Sequence, residues 1–291
     1  VGRMAAPTTR SGRWFAALVI VAVAALVGSG IAWQRSRDDS PQQVTASLSA
    51  EPVQAAKVKG SWPTTTTATT PSTLDPATGI SVSGPIGPPW PDQFTAADAI
   101  VPQVALYEAP DKPVPTGRTL PNPTVEGYKL VFLVRKQQKD WLQVQLNTRP
   151  NGATAWIKAS DVALRTVPNH ILIELGTRKL TVFHGEEPIF TASVAPGQAS
   201  SPTPTGAFYT DIITRPTNPK GPYGLYQISV TGFSNVYQTF GGGVGQIAIH
   251  GTNRPELIGT PASHGCVRMS NDDISAVVPL APLGTPVVIV D

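Results

Sequence analysis

The chain has 291 residues, with 30 prolines, 26 glycines and only 14% charged residues, a balance that favours turn-rich β structure over a helical fold. Its net charge of +3 comes from the start of the chain: residues 1–37 hold five of the 22 basic side chains and no acid. That leaves 17 basic against 19 acidic residues, a net of −2, for the remainder. A body of that sign excludes nucleic-acid binding through a broad basic face.

Trp14 to Trp33 (WFAALVIVAVAALVGSGIAW) is a twenty-residue run without a charge, long enough to cross a bilayer as a helix. Tryptophans stand at both ends, where an interfacial belt would lie. Arg10 and Arg13 precede the run and Arg35 and Arg37 follow it. Residues 1–38 therefore read as a cytoplasmic tail and transmembrane signal-anchor, with everything downstream outside the cytoplasm. A cleaved signal peptide is the alternative, because Gly28-Ser29-Gly30-Ile31-Ala32 offers small residues near a cleavage position. Residues 39–97 read as a linker: Thr64 to Thr70 and the later Gly84-Pro85-Ile86-Gly87-Pro88-Pro89 cannot bury a core, and proline keeps such a spacer extended.

Short apolar or alternating runs then recur, separated by proline, asparagine and glycine. Val104–Tyr107, Tyr128–Val134, Trp141–Leu146 and Ala153–Ile157 read as strands. The pattern Asp140-Trp141-Leu142-Gln143-Val144, then Gly152 and Ala155-Trp156-Ile157, resembles bacterial SH3-like domains, and it defines a unit at 98–165. The resemblance implies a small β-barrel that binds a cell-wall or peptide ligand. Equally, Trp141 and Trp156 are core and the unit is a spacer or docking surface.

A second domain occupies 168–291. Ile171–Leu175 and Lys179–Phe183 read as paired strands, and Pro188–Val194 as a third. His170 and His184 fall at a strand start and a turn, and neither is assigned chemistry. Thr214 to Gly224, which contains Lys220 and Tyr223, is either a flap over a site or an ordinary loop. Gly241-Gly242-Gly243-Val244-Gly245 lacks the helix and lysine of a phosphate loop and reads as a turn. Near the end, Ser270 reads as a helix N-cap with Asp273 at the capping-box position, and Gly284 to Val290 as a core strand that closes the chain.

Between those elements lie Ile249-His250-Gly251-Thr252 and Ser263-His264-Gly265-Cys266-Val267-Arg268-Met269. Cys266 is the chain's one cysteine, so an intramolecular disulfide is impossible, and a lone thiol in an oxidising compartment needs a reason. Free cysteines are commonly small buried apolar residues. Here small residues bracket the thiol, so backbone amides can approach a reacting carbonyl, and two of the four histidines lie within sixteen residues. A thiol attacks as thiolate, and imidazole is a common way to generate one.

Together with Pro204-Thr205-Gly206 and the closing Gly284-Thr285-Pro286-Val287, these motifs resemble the L,D-transpeptidase catalytic domain of the YkuD type. The resemblance implies a mainly β, sandwich-like domain with short helices, acting without metal or cofactor on peptidoglycan stem peptides outside the cytoplasm of a bacterium, where carbapenem-type β-lactams would acylate it. It implies Cys266 as nucleophile and His250 as general base, oriented by the backbone carbonyl of Gly251. The amides of Gly265 and Cys266 become oxyanion-hole candidates. His264, Ser263, Arg268 and Tyr223 become substrate-binding candidates; for Arg268 a structural ion pair is the competing role. A cysteine peptidase of the NlpC/P60 sort would place cysteine before histidine, the reverse of the order here. A zinc site using His250, His264 and Cys266 lacks an HExxH or CxxC pattern. A non-enzymatic wall anchor remains the third class.

Overall fold

The computed structural model describes residues 90–291 except 115–116, together with three two-residue strands, Gln42–Gln43, Thr73–Leu74 and Ser81–Val82. The expected membrane span and most of the expected linker lie outside the described residues.

The first β unit begins with β1 (Phe94–Ala99), followed by β2 (Val131–Gln138), β3 (Trp141–Gln145), β4 (Ala153–Lys158) and β5 (Val162–Val167). They form an antiparallel sheet in the order β5-β1-β2-β3-β4. Leu106, Phe132, Leu142, Val144 and Ile157 fill its core. This is the unit whose sequence resembles SH3-like domains. It starts earlier than expected, because β1 begins at Phe94, within the stretch read as linker, and runs on to Ala99. Its Phe94-Thr95-Ala96-Ala97 carries a weak strand signal, since alanine has little β preference. Tertiary context supplies what propensity lacks: β1 pairs along its whole length with β5, and Ala96 and Ala97 are fully buried. The expected strand at Tyr128 starts only at Val131, because Thr124 to Tyr128 closes a turn in which the Thr124 amide donates to the Tyr128 carbonyl.

The second unit contains β6 (Asn169–Glu174), β7 (Lys179–His184), β8 (Glu187–Ser193), β9 (Gly206–Arg215), β10 (Gln227–Phe233), β11 (Gln246–His250), β12 (Val267–Arg268), α1 (Asn271–Val277) and β13 (Pro286–Val290). The strand order is β8-β7-β6-β13-β9-β10-β11-β12. Two pairs are parallel, β6 with β13 and β11 with β12; the rest are antiparallel. Strand β9 joins two leaves. Gly206–Tyr209 pairs with β13, whereas from Thr210 onward it pairs with β10, and a bulge falls between Thr210 and Ile212. A bulge bends and twists its strand, so the leaves fold toward each other. Residues of both leaves, Ile171 and Val287 from one and Ile228 and Ile249 from the other, share one core with Ile274 and Val277 of α1. The mainly β, sandwich-like expectation is met.

Helix α1 starts as its residues dictate. The Ser270 hydroxyl accepts the Asp273 amide at 3.0 Å and lies 2.6 Å from the Asp273 carboxylate, a reciprocal cap that closes the first turn. The two units share a further apolar layer, in which Phe94, Val131 and Val167 of the first pack with Ala207, Tyr209 and Val288 of the second. The Gln145 amide donates to the Ala207 carbonyl at 2.7 Å, and Arg165 reaches the Leu283 carbonyl. They are two lobes of one body.

Candidate active site

Strand β11 sets the site. It lies between β10, antiparallel, and β12, parallel, with Ile249 opposite Val267 and His250 opposite Arg268. Ile249 goes to the core, and that register puts Cys266 one step before β12, against Ala248. The Met269 amide donates to the His250 carbonyl at 2.8 Å, so both segments of the motif are locked together by backbone.

Cys266 sits at the end of a tight turn. The Ser263 hydroxyl donates to the Cys266 carbonyl and accepts the Gly265 amide at 3.1 Å. Gly265 has φ +121°, a conformation that L side chains rarely adopt, while a Cβ there would meet only ordinary contacts. Glycine is required for backbone conformation, not for space. The turn is tied to the neighbouring loop by the Gln198 amide on the Ser263 carbonyl and by Ala195 bridging Arg268.

Two expectations change here. Gly265 was an oxyanion-hole candidate, but its amide is spent on the Ser263 hydroxyl, which leaves the Cys266 amide as the remaining candidate. Ser263 lines the cleft but is 1% exposed, and its hydroxyl serves the turn on both sides. Its job is to shape the Cys266 backbone, not to hold substrate through that hydroxyl.

His250, Cys266, Arg268, Tyr223 and His264 open onto one cleft. His250 Nδ1 lies 2.6 Å from the Gly251 carbonyl oxygen. A carbonyl only accepts, so Nδ1 carries the proton and Nε2 is left as the acceptor. The edge of Tyr223 meets His250 with ring centroids 5.0 Å apart at 62°. His264 is exposed and faces Phe240 and Tyr237 at 5.5 and 6.3 Å. The Arg268 Nε is buried without a hydrogen-bond partner, so the guanidinium is not consumed by a structural ion pair through that atom. His170 is not among the residues lining this cleft and is buried against Trp90 and Phe183.

Against known proteins, residues 168–289 match the model of the YkuD family, the L,D-transpeptidase catalytic domain. YkuD of Bacillus subtilis (strain 168), a protein named as an L,D-transpeptidase, is 39% identical over 124 residues, covering 43% of this chain and 67% of that protein. This chain belongs to the L,D-transpeptidase family. YqjB of the same organism, also named as an L,D-transpeptidase, is 32% identical over 132 residues, covering 42% of this chain and 71% of that protein. Among solved structures, L,D-transpeptidase 3 from Mycobacterium tuberculosis in complex with a faropenem-derived adduct is 14% identical, covers 50% of this chain and 76% of that one, and has a TM-score of 0.35. The protein is thus an enzyme of the transpeptidase class, and its first β unit lies outside the residues that match the catalytic-domain model.

Electrostatics define the resting state of this L,D-transpeptidase. Burial lowers His250 to about 4; its bond to Gly251 opposes that shift and the Arg268 charge adds to it. Burial pushes the Cys266 thiol up from its ordinary value, against the pull of the Ala248 backbone amide and of Arg268. Burial and the neighbouring Cys266 raise the Tyr223 phenol, while Arg268 opposes them. At neutral pH the pair is therefore a neutral thiol beside a neutral imidazole. Among the described residues no cluster of three or more His, Cys, Asp or Glu is placed to hold a metal ion.

Sequence reasoning missed Asn271. Its sequence position beside the motif and at a helix start assigned it no contact, but its side chain accepts the Leu225 amide at 3.1 Å and donates to the Thr252 carbonyl at 3.2 Å. It clamps the end of the 214–224 loop to the segment that orients His250. The signal was present, because Asn271 lies two residues past the motif, but its partners are 46 and 19 residues away. Tyr237 and Phe240 were also missed, since nothing local marks an exposed aromatic as a cleft wall.

Proposed function

We propose that this enzyme joins peptidoglycan stem peptides through a Cys266 acyl-enzyme. The Cys266 thiol attacks the carbonyl of the third stem residue, a diamino acid joined to a terminal D-alanine. His250 Nε2 takes the thiol proton as the C–S bond forms. The tetrahedral intermediate collapses with cleavage of the C–N bond, and the proton passes to the amine of the departing D-alanine. A side-chain amine of a neighbouring stem then attacks the thioester. A new C–N bond replaces the C–S bond, the thiol is restored, and the product is a 3→3 cross-link. The Cys266 amide would stabilise the oxyanion in both halves. Arg268, with its unpartnered Nε, would hold a carboxylate of the donor stem, and Tyr223 and His264 would flank it.

The observation that carries this reading is the His250 Nδ1 contact with the Gly251 carbonyl in a cleft shared with Cys266. A carbonyl orients the imidazole as a triad carboxylate would, leaving Nε2 basic. Intact-mass spectrometry with a carbapenem and with a tetrapeptide stem tests it. One covalent adduct and D-alanine release are expected for the wild type, neither for Cys266→Ala, and slowed acylation for His250→Ala. D-alanine release that survives Cys266→Ala would end the nucleophile assignment.

We also propose that the run from Trp14 to Trp33 anchors the chain with its β lobes outside the cytoplasm, on the strength of its uncharged length and flanking tryptophans. The N-terminal mass of protein extracted from membranes checks this. Loss of residues up to about Ala32 would establish a cleaved signal peptide instead.

A further inference from the structure

The turn Asn147-Thr148-Arg149-Pro150-Asn151, between β3 and β4 of the first lobe, reaches across to the second. Its alternate side chains make three separate attachments there. The Asn147 amide donates to Asp211 at 2.6 Å, and the same carboxylate accepts Gln246 at 2.9 Å. Asn151 forms a reciprocal pair with the Phe233 backbone, its amide donating to the carbonyl and its oxygen accepting the N–H, both at 2.9 Å. Between them, the Arg149 guanidinium donates to the backbone carbonyls of Ser234 at 2.8 Å, Tyr237 at 3.0 Å and Val244 at 3.3 Å, and lies 4.9 Å from the Phe233 ring.

Those three carbonyls belong to one loop. Ser234 to Gly245 is closed at its base by the Ser234 amide on the Gly245 carbonyl and at its tip by Phe240 and Gly243. Among the described residues, the Ser234, Tyr237 and Val244 carbonyls accept no backbone amide from the loops. A planar guanidinium with five donors can serve all three at once; a lysine ammonium cannot match that fork. The approach is close: a Cβ on Gly245 would lie 2.2 Å from the Tyr237 oxygen and 3.2 Å from Arg149. The loop in turn presents Tyr237 and Phe240 to His264, forming the cleft wall across from Tyr223.

We propose that Arg149 is a positioning residue of the catalytic cleft: the first lobe supplies the plug that shapes the Ser234–Gly245 loop, and so sets affinity for the donor stem. Cys266 and His250 are held by β11, β12 and the Ser263 turn, whereas the hydrogen bonds of Arg149 go to Ser234, Tyr237 and Val244. Removing the guanidinium should therefore weaken substrate binding and leave the chemical step nearly intact. The kinetic part of this inference rests on the stem-peptide reading of the cleft; the structural part does not.

The test uses the full chain with Arg149→Ala, Arg149→Lys and Asn151→Ala. Hydrogen exchange in residues 234–245 should quicken about tenfold or more in Arg149→Ala, as loss of a charged hydrogen-bond set implies, with exchange in β11 unchanged. KM for a tetrapeptide stem should rise about tenfold with kcat within about threefold. Alkylation of Cys266 by iodoacetamide should stay within about twofold, reporting an intact thiol site without reference to any substrate. Arg149→Lys should lie nearer alanine than wild type, because the fork and not the charge is at work. Asn151→Ala decides the matter if Arg149→Ala does not fold. Unchanged loop exchange, or a loss confined to kcat, overturns the proposal. A wild type that releases no D-alanine would instead overturn the stem-peptide reading, while exchange and alkylation would still judge Arg149.

Discussion

The two residues proposed to carry the chemistry rest in their uncharged forms. Burial keeps His250 neutral to about pH 4 and holds the Cys266 thiol above its ordinary value. Proton transfer must then accompany attack, unlike in an enzyme that stores a thiolate–imidazolium pair. The consequence is a particular pH profile. Because the native His250 pKa is depressed, the basic imidazole is lost only as pH falls through about 4. Carbapenem acylation should thus stay nearly flat from about pH 7 down to 5 and decline below about 4, by about tenfold per unit in the limit. In His250→Ala the rate should rise with pH through the neutral range, following the thiolate. A wild-type acid limb near pH 6.5, measured by intact mass at short times, would show that the imidazole titrates in its ordinary range and would refute this account.

At the scale of elements, the site depends on how closely three chain segments approach. Gly224 ends the 214–224 loop, Gly251 follows His250, and Asn271 opens α1. A Cβ on Gly224 would lie 2.1 Å from the Asn271 oxygen, 2.6 Å from the Thr252 nitrogen and 2.7 Å from the Gly251 carbon. Two of those atoms are backbone, and Gly224 also has φ +63°, so neither space nor conformation allows a side chain. Gly224→Ala should displace the carbonyl that orients His250 and lower the acylation rate about tenfold or more, with the fold retained by circular dichroism. Ser270→Ala makes a useful contrast. It removes the α1 cap and should cost about 1 kcal/mol of stability in urea denaturation, while acylation per folded molecule changes little.

Over the whole molecule, the lobes meet through a buried layer that contains an unusual histidine. His170 stacks on Trp90 at 4.0 Å and on Phe183 at 5.1 Å, and neither ring nitrogen has a partner. Burial lowers it to about 4. Between pH 6.5 and 4 the unfolded chain therefore binds a proton that the native state refuses, so the stability associated with neutral His170 is present above 6.5 and lost on acidification. His170→Phe removes both the unpartnered nitrogens and that linkage. The variant should be at least as stable as wild type at pH 8, and its advantage should grow by about 1.4 kcal/mol per unit as pH falls from 6.5 toward 4. Urea denaturation of the two proteins at pH 8 and 5 measures the difference, in which other titrations cancel. One of these is Asp211, raised by burial to about 6, which acts in the opposite sense and destabilises the native state as pH rises through that value. An unchanged gap between pH 8 and 5 would mean that His170 is not the linked group.

The sequence by itself determined the family, the mainly β class, the capped start of α1 and the closing strand, and it singled out Cys266 and His250 as the proposed catalytic pair. Each of these is written in contiguous residues, as a motif, a cap or a short apolar run, and local chemistry suffices to read it. The tertiary structure alone decided that Gly265 spends its amide on Ser263, that Asn271 clamps Leu225 to Thr252, and that the first lobe is fused to the second and not merely strung before it. Strand β1 was hidden because alanines gain strand character only from the partners that bury them. Arg149 was hidden because the three carbonyls it serves lie more than eighty residues away, and backbone carbonyls leave no mark in a sequence. A thiol and an imidazole can be proposed as nucleophile and base from the sequence because their identity is the chemistry; the groups that position them are legible only once the chain has brought them together.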